Sequence, residues 1–267
     1  MSTTTILATD IPATDRHEAA VGYASVMAGL ADQLAALPSA LWAAGTDCAG
    51  WTIRDMASHL LGAQEDMRSV RRTLLRRRLG HRNYPQLSLL DAANQQQIDD
   101  HSSDTHDDVL TQYRANTPLV ARRVSAFPTL ATWIPVDKTM APGGLPLRLG
   151  YLFTTIYLRD AWMHSIDLSL ASGLPRVATG ADAMVARQVL RDVAVVWAQG
   201  PNVELELTGN VCGTWRLGRM GGTAARVTAD GIDFCRRLSG RPPNTGISLL
   251  TGDPEVLGLV EDLRVVF

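Results

Sequence analysis

Asp160, His164 and Asp167 carry the clearest chemical signal in the sequence. They stand at i, i+4 and i+7 inside an apolar run from about Leu149 to Ala171 that reads as a helix, so they share one face. Leu152, Phe153, Ile156, Trp162, Met163, Ile166 and Leu168 surround them, and a helix that is apolar nearly all round is a buried one. Carboxylates and an imidazole on a buried helix need partners, because an unpaired buried charge is very costly. Either a hydrogen-bond network or a metal ion would satisfy them.

A second stretch, Gly50-Trp-Thr-Ile-Arg-Asp-Met-Ala-Ser-His-Leu-Leu-Gly62, offers another imidazole. Thr52 at the N-cap and Asp55 at N3 form a variant of the capping box, and Trp51 with Met56 suits a hydrophobic staple. His59 then lies nearly two turns into the helix, on the face shared by Asp55, Met56, Ala63 and Asp66. The two stretches share the order Arg-Asp-x-x-x-His, through Arg54, Asp55 and His59 and through Arg159, Asp160 and His164. Asp55 has a capping task, whereas Asp160 sits mid-helix and has none. Helical bundles build metal sites from inward-facing side chains on neighbouring helices. His59, Asp160 and His164 make a set of two imidazoles and one carboxylate, which leaves coordination positions open, as a catalytic site requires. Asp167 then supports a ligand or acts as a general base. The competing reading is a pair of core histidines satisfied by hydrogen bonds alone. His17, His81, His101 and His106 lie among polar residues and read as surface histidines.

The elements that must position these groups fall into two patterns. Residues 1–15 read as a disordered leader, polar and Thr-rich, without the basic start and apolar core of a signal peptide. Helical spacing follows over 18–37, from 52 into the arginine-rich segment ending at Gly80, over 89–100, over 107–127 with Pro118 inside, and over 149–171. This predicts an up-and-down bundle spanning 16–175. Arg68, Arg71, Arg72, Arg76, Arg77 and Arg78 read as a solvated face, with Asp99, Asp100, Asp104, Asp107 and Asp108 able to neutralise them. Residues 128–144 read as a loop whose Trp133, Ile134 and Met140 could overhang a site. After one more helix over 181–199 the period switches to two, at 203–207, 213–217 and 224–228, before a short helix at 231–238, a strand at 247–250 and a helix at 253–263. Residues 176–267 therefore form a small α+β domain, and the chain as a whole is an α+β protein of two domains.

Composition narrows the function. The chain is 46% hydrophobic and 19% charged with a net charge of -2, which gives no pull toward nucleic acid or membrane. Cys48, Cys212 and Cys235 are far apart and make neither a disulfide framework nor a thiolate knuckle, which fits a reducing cytoplasm. The Leu149–Ala171 run carries Arg159, Asp160, His164 and Asp167, which argues against a membrane span.

The stretch from Gly50 to Gly62 resembles the entry to the second helix in the mycothiol-dependent maleylpyruvate isomerase family, part of the wider DinB-like metalloprotein group. Arg159-Asp-Ala-Trp-Met-His-Ser-Ile-Asp167 is similar to that family's second signature, and Leu238-Ser-Gly-Arg241 and Thr251-Gly-Asp-Pro254 resemble its C-terminal region. The resemblance implies a DinB-like helical bundle followed by a sterol-carrier-like α+β domain. It implies a metal, usually zinc, on His59, Asp160 and His164, with Asp160 standing where the family's isomerase has glutamate. It also implies that an arginine of the C-terminal domain assists the reaction, for which Arg241 is the match. Neither helical motif contains a cysteine, so the implied nucleophile is a bound low-molecular-weight thiol, mycothiol, activated as thiolate toward a small electrophilic substrate. The outcome is cis–trans isomerisation if the thiol leaves again, or S-transfer if another group leaves. The alternative is a non-catalytic ligand-binding protein with a structural metal.

Overall fold

Side-chain caps written into the sequence set most of the helix starts. The computed structural model of the chain describes residues 5–219 and 221–267. Helix α1 spans Arg16–Ala35 and buries Tyr23, Met27, Leu30 and Leu34, the three- and four-residue spacing of a core-facing stripe. Helix α2, Ile53–Arg68, starts from the predicted capping box: Thr52 accepts from the Asp55 N–H, and Asp55 accepts from the Thr52 N–H. It does not run on to Gly80 as expected. Ser69 takes an extended backbone and its hydroxyl accepts from the Arg72 N–H, so one residue ends α2 and caps α3, Val70–Asn83. Helices α4, Leu89–Asp100, and α5, His106–Ser125, start at Ser88 and at a Thr105–Asp108 capping box.

The chain then forms a two-stranded ribbon, β2 at Pro135–Ala141 and β3 at Leu145–Arg148, where a loop was expected. Its turn needs backbone that glycine adopts freely, with φ of 72° at Gly143 and 73° at Gly144. Trp133 and Ile134 are exposed, and the Arg148 guanidinium lies 4.7 Å over the Trp133 ring; the side chain of Met140 lies outside the described residues. A single turn, α6 at Leu149–Tyr151, passes through a π turn at Leu152–Ile156 into helix α7, Tyr157–Ser172.

Two compact units result. One joins Arg16–Pro128 to Asp160–Val177, so α1 to α5 pack with all but the start of α7. The other joins the chain before Arg16 to Thr129–Arg159 and Ala178–Phe267. This differs from the contiguous division expected near residue 175, because the ribbon and the start of α7 group with the C-terminal segment. That unit holds α8 at Gly180–Val196, β4 at Val203–Thr208, β5 at Gly213–Leu217, β6 at Ala225–Asp230, α9 at Gly231–Leu238, β7 at Ser248–Gly252 and α10 at Pro254–Glu261. Its five-stranded sheet, in which β1 is Ile6–Leu7, has the order β1-β5-β4-β6-β7 and is mixed, with β4 antiparallel to β5 and parallel to β6. Val203, Leu205 and Leu207 alternate inward along β4, as period two requires. Strand β1 pairs in parallel with Trp215 and Arg216. The leader is therefore ordered from this point on, correcting the expectation of disorder. Its apolar residues Ala8 and Ile11 are buried, and residues 1–4 lie outside the described set. Among the described residues no helix is long and apolar enough to cross a membrane.

Candidate metal centre

In the helical unit, His59, Asp160 and His164 point at one another. His59 Nε2 lies 3.4 Å from Asp160 Oδ2, and His164 Nε2 lies 3.3 Å from Asp160 Oδ1. One ligand atom from each residue falls within 4.8 Å of the other two. The capping box fixes where α2 begins and so where His59 sits, while the four-residue spacing on α7 puts Asp160 and His164 on one face.

The other ring nitrogens are also held. His59 Nδ1 lies 2.8 Å from Gln97 Oε1, and His164 Nδ1 lies 3.0 Å from Asp167 Oδ2. Both partners accept, so each Nδ1 carries a proton, and on a neutral ring each Nε2 would turn a lone pair toward the Asp160 carboxylate. With both rings neutral, three acceptors would converge with no donor among them. A proton or a cation must lie between them, and two imidazoles with one carboxylate are a fitting donor set for zinc or a similar divalent ion. His59 and His164 are buried and Asp167 is fully so, whereas the Asp160 side chain keeps 25% of its exposure. The set is closed by protein on the histidine side and partly exposed at its carboxylate.

The electrostatics agree with this geometry. Burial pushes Asp160 up, but the charge and hydrogen bond of His164, and then those of His59, hold it well below the usual carboxylate range. Burial pulls His164 down, yet Asp160 and then Asp167 carry it well above the usual imidazole value. A metal held by these residues would therefore displace a proton, the ordinary coupling of metal binding to pH.

Trp51 packs on both histidines, its ring 4.9 Å from that of His59 and 6.1 Å from that of His164. A short loop places it: the Trp51 N–H donates to Cys48 O, the Thr46 N–H to Trp51 O, and the Ile53 N–H to Ala44 O, each at 2.9 Å. The same loop brings in Cys48, which sequence reasoning missed. Its Sγ lies 3.8 Å from His164 Nδ1 and 3.6 Å from Asp167 Oδ2. The absence of a cysteine from both helical motifs thus did not keep cysteine out of the site, since Cys48 comes from the loop before α2. Arg241, the other residue expected to assist, follows α9 in the other unit and donates to Ser239 Oγ at 3.2 Å.

Two further expectations are corrected here. Arg76 is not on a solvated face: it is 2% exposed and donates to Glu65, to Asp66 at 3.0 Å and to Asp100 at 2.7 Å. His101 is buried rather than on the surface, with Nδ1 2.9 Å from Asp104 and Nε2 3.3 Å from Glu65.

The family model described as the mycothiol maleylpyruvate isomerase N-terminal domain matches residues 23–169, more than half of the chain. The chain belongs to this family. The matched segment of the maleylpyruvate isomerase domain contains His59, Asp160, His164 and Asp167, and Arg241 lies beyond it. The fold is similar to a crystal structure of the mycothiol-dependent maleylpyruvate isomerase, with a TM-score of 0.56, 16% identity, and coverage of 93% of this chain and 97% of that one. It is similar in the same proportions, with a TM-score of 0.55, to a variant of that isomerase with a histidine replaced by alanine. No curated protein matches the chain in sequence.

Proposed function

We propose that this chain is a metal-dependent enzyme that uses mycothiol, or a similar low-molecular-weight thiol, to isomerise a small electrophilic metabolite of the maleylpyruvate type. The observation that carries the reading is the convergence of two imidazole Nε2 atoms on the partly exposed carboxylate of Asp160, each imidazole anchored from behind. Family membership supplies the thiol and the isomerisation, and favours that branch over S-transfer.

A bound metal at this point supplies the Lewis acidity that keeps a thiol in its thiolate form at neutral pH. His59 and His164 offer Nε2 from the buried side, and Asp160 offers a carboxylate at the open side. Gln97 and Asp167 retain the two Nδ1 protons, which fixes the rings and raises their basicity. Asp167 is fully buried and engaged with His164 and Cys48, so it orients His164 rather than taking a proton from substrate. Trp51 shields the imidazole faces. Arg241 is assigned an assisting role on the family pattern.

Purified protein is expected to carry stoichiometric zinc and to convert maleylpyruvate to its trans isomer only when mycothiol is added, with no lasting adduct by mass spectrometry. His59→Ala should remove both metal and turnover, while Cys48→Ser should keep thiol-dependent turnover. An accumulating S-conjugate would move the assignment to an S-transferase. Protein without metal, whose properties His59→Ala leaves unchanged, would sink the enzyme reading and leave a ligand-binding protein.

A further inference from the structure

Behind His59 runs a chain of hydrogen bonds that ends at a buried guanidinium. Gln97, on α4, holds its Oε1 2.8 Å from His59 Nδ1 and its Nε2 2.7 Å from Asp66 Oδ2. Asp66 Oδ1 accepts from Arg76 Nη1 at 3.0 Å. Arg76 is pinned in turn by Gly62 O at 2.7 Å, Asp100 at 2.7 Å and Glu65. The backbone makes room for this contact: a Cβ on Gly62 would come within 2.5 Å of the Gln97 Cβ, so glycine there lets Gln97 sit close against α2.

The chemistry of each link fixes the next. A guanidinium only donates, so it holds Asp66 as an acceptor, and Asp66 in turn takes the NH₂ end of the Gln97 amide. The amide has one other end, the carbonyl, and that end faces His59. A lone pair on Nδ1 at this distance would repel Oε1, so Nδ1 carries the proton and Nε2 keeps its lone pair. The pull from the other side is opposite, because the Asp160 carboxylate attracts a proton onto Nε2. A carboxylate in place of Gln97 would serve His59 equally well, but it would face Asp66 as a second buried anion. The amide, with a donor end and an acceptor end, carries orientation from Arg76 to the imidazole without adding charge.

We propose that Gln97 is a positioning residue: its amide, oriented by the Arg76–Asp66 pair, fixes His59 in the Nδ1–H tautomer and so leaves Nε2 free to bind a metal. The proposal rests on the reading of His59, Asp160 and His164 as metal ligands.

The tautomer is measurable without any metal. Long-range proton–nitrogen NMR on metal-free protein, at a pH where imidazoles are neutral, should show His59 protonated on Nδ1. In Gln97→Leu and in Asp66→Asn the proton should shift toward Nε2, drawn by Asp160. Zinc affinity, by competition with a chelating dye, should fall about 10- to 100-fold in Gln97→Leu. The exchange Gln97→Glu with Asp66→Asn should restore both readouts. In it the introduced carboxylate accepts from His59, while the introduced amide donates to that carboxylate and accepts from Arg76. If Gln97→Leu does not fold, Asp66→Asn and the exchange, which conserve volume, carry the test. A wild-type His59 protonated on Nε2 overturns the proposal, as do single variants with unchanged tautomer and unchanged zinc affinity. Wild-type protein with the predicted tautomer, lost in the variants, but with no affinity for zinc would support the relay and refute the metal reading instead.

Discussion

Arg54, Asp55 and His59 on α2 repeat the order of Arg159, Asp160 and His164 on α7, yet only the histidines come to the same place, one on each side of the Asp160 carboxylate. Asp55 stands at the third position of its helix and closes a capping box with Thr52. Asp160 stands beyond the π turn that leads into α7, and its two oxygens face two imidazoles. Arg54 donates to the His101 and Asp104 carbonyls at the end of α4. Arg159 is fully buried, with Nη1 2.7 Å from Asp192 and 2.6 Å from the Val266 carbonyl, and with the Phe267 ring beside it. Residue type and spacing are thus shared, and the task is set by depth. Near a helix start an aspartate meets free backbone N–H groups. In mid-helix it meets none and must find a side chain or an ion.

The arginines offer the largest break in the likeness. Arg159→Met leaves Asp192 buried beside the Tyr151 hydroxyl without its cation. Removing one partner of a buried ion pair costs about 3–5 kcal/mol, a large share of a typical domain's stability. Arg54→Met removes two charge-assisted bonds at a half-buried site and should cost less, about 1.5–3 kcal/mol. Urea unfolding of both variants checks the order, and equal losses would remove depth as the explanation.

The aspartates separate by readout rather than by size. Asp160→Asn should weaken zinc binding by more than about 100-fold, beyond the range typical of residues that only support a ligand. Asp55→Asn should leave zinc affinity unchanged and cost about 1 kcal/mol of stability through the weakened cap. Equilibrium dialysis against zinc, with thermal unfolding in parallel, tests both. An Asp55→Asn protein that also lost zinc would show that the cap and the site are coupled through the placement of His59.

Much of this was legible in the sequence because it rests on local rules. Thr52 and Asp55 mark a helix start by their types and spacing, and residues four apart on a helix share a face wherever the helix lies. Asp160 and His164 could be paired on that basis, and His59 joined them through the expectation that neighbouring helices of a bundle face one another. What was not legible depends on tertiary packing. Ser69 looks like any helix-interior serine until its extended backbone makes it a cap, and Arg76 looks like its neighbours in an arginine run until Glu65, Asp66 and Asp100 close on it. Gln97 is an ordinary polar residue of α4, and only Gly62 and His59 give it a role. Cys48 reaches the site through a loop whose bonds run between backbone groups, which no side-chain pattern announces. The π turn at Leu152–Ile156 has no distinguishing residue types.

A smaller effect distinguishes the α2 neighbourhood by pH. Burial pushes Glu65 up, but bonds from His101, Arg72 and Arg76 bring it down from an ordinary 4.5 to about 2. Its contribution is therefore present above about pH 4.5 and is lost as pH falls toward 2. His101 runs the other way. Burial lowers it, and Glu65 with Asp104 raises it above its ordinary 6.5, so its contribution is complete below pH 6.5 and disappears as pH rises through the raised value. This network should be most stabilising between those limits. His101→Gln should flatten the alkaline decline in unfolding free energy while leaving the acid limb in place. A decline that persists in His101→Gln must come from other groups.

The smallest change asks how finely Asp160 is fitted. Glutamate is one methylene longer, and with Nε2 atoms already 3.3 Å and 3.4 Å from the aspartate oxygens, the longer side chain must fold back or push the carboxylate outward. The side chain is partly exposed, so the outward path is open. Asp160→Glu should accordingly keep the metal, with affinity changed by less than about tenfold, or about 1.4 kcal/mol. Zinc competition reads this directly, and cobalt substitution reports on geometry through its visible spectrum. If Asp160→Glu loses zinc as fully as Asp160→Asn, the spacing between α2 and α7 is matched to aspartate, and depth alone no longer accounts for the difference from Asp55. If affinity rises, the shorter side chain is a compromise that keeps a coordination position wide open for a bulky thiol, and turnover with mycothiol should then fall in the glutamate variant even as its zinc binding improves.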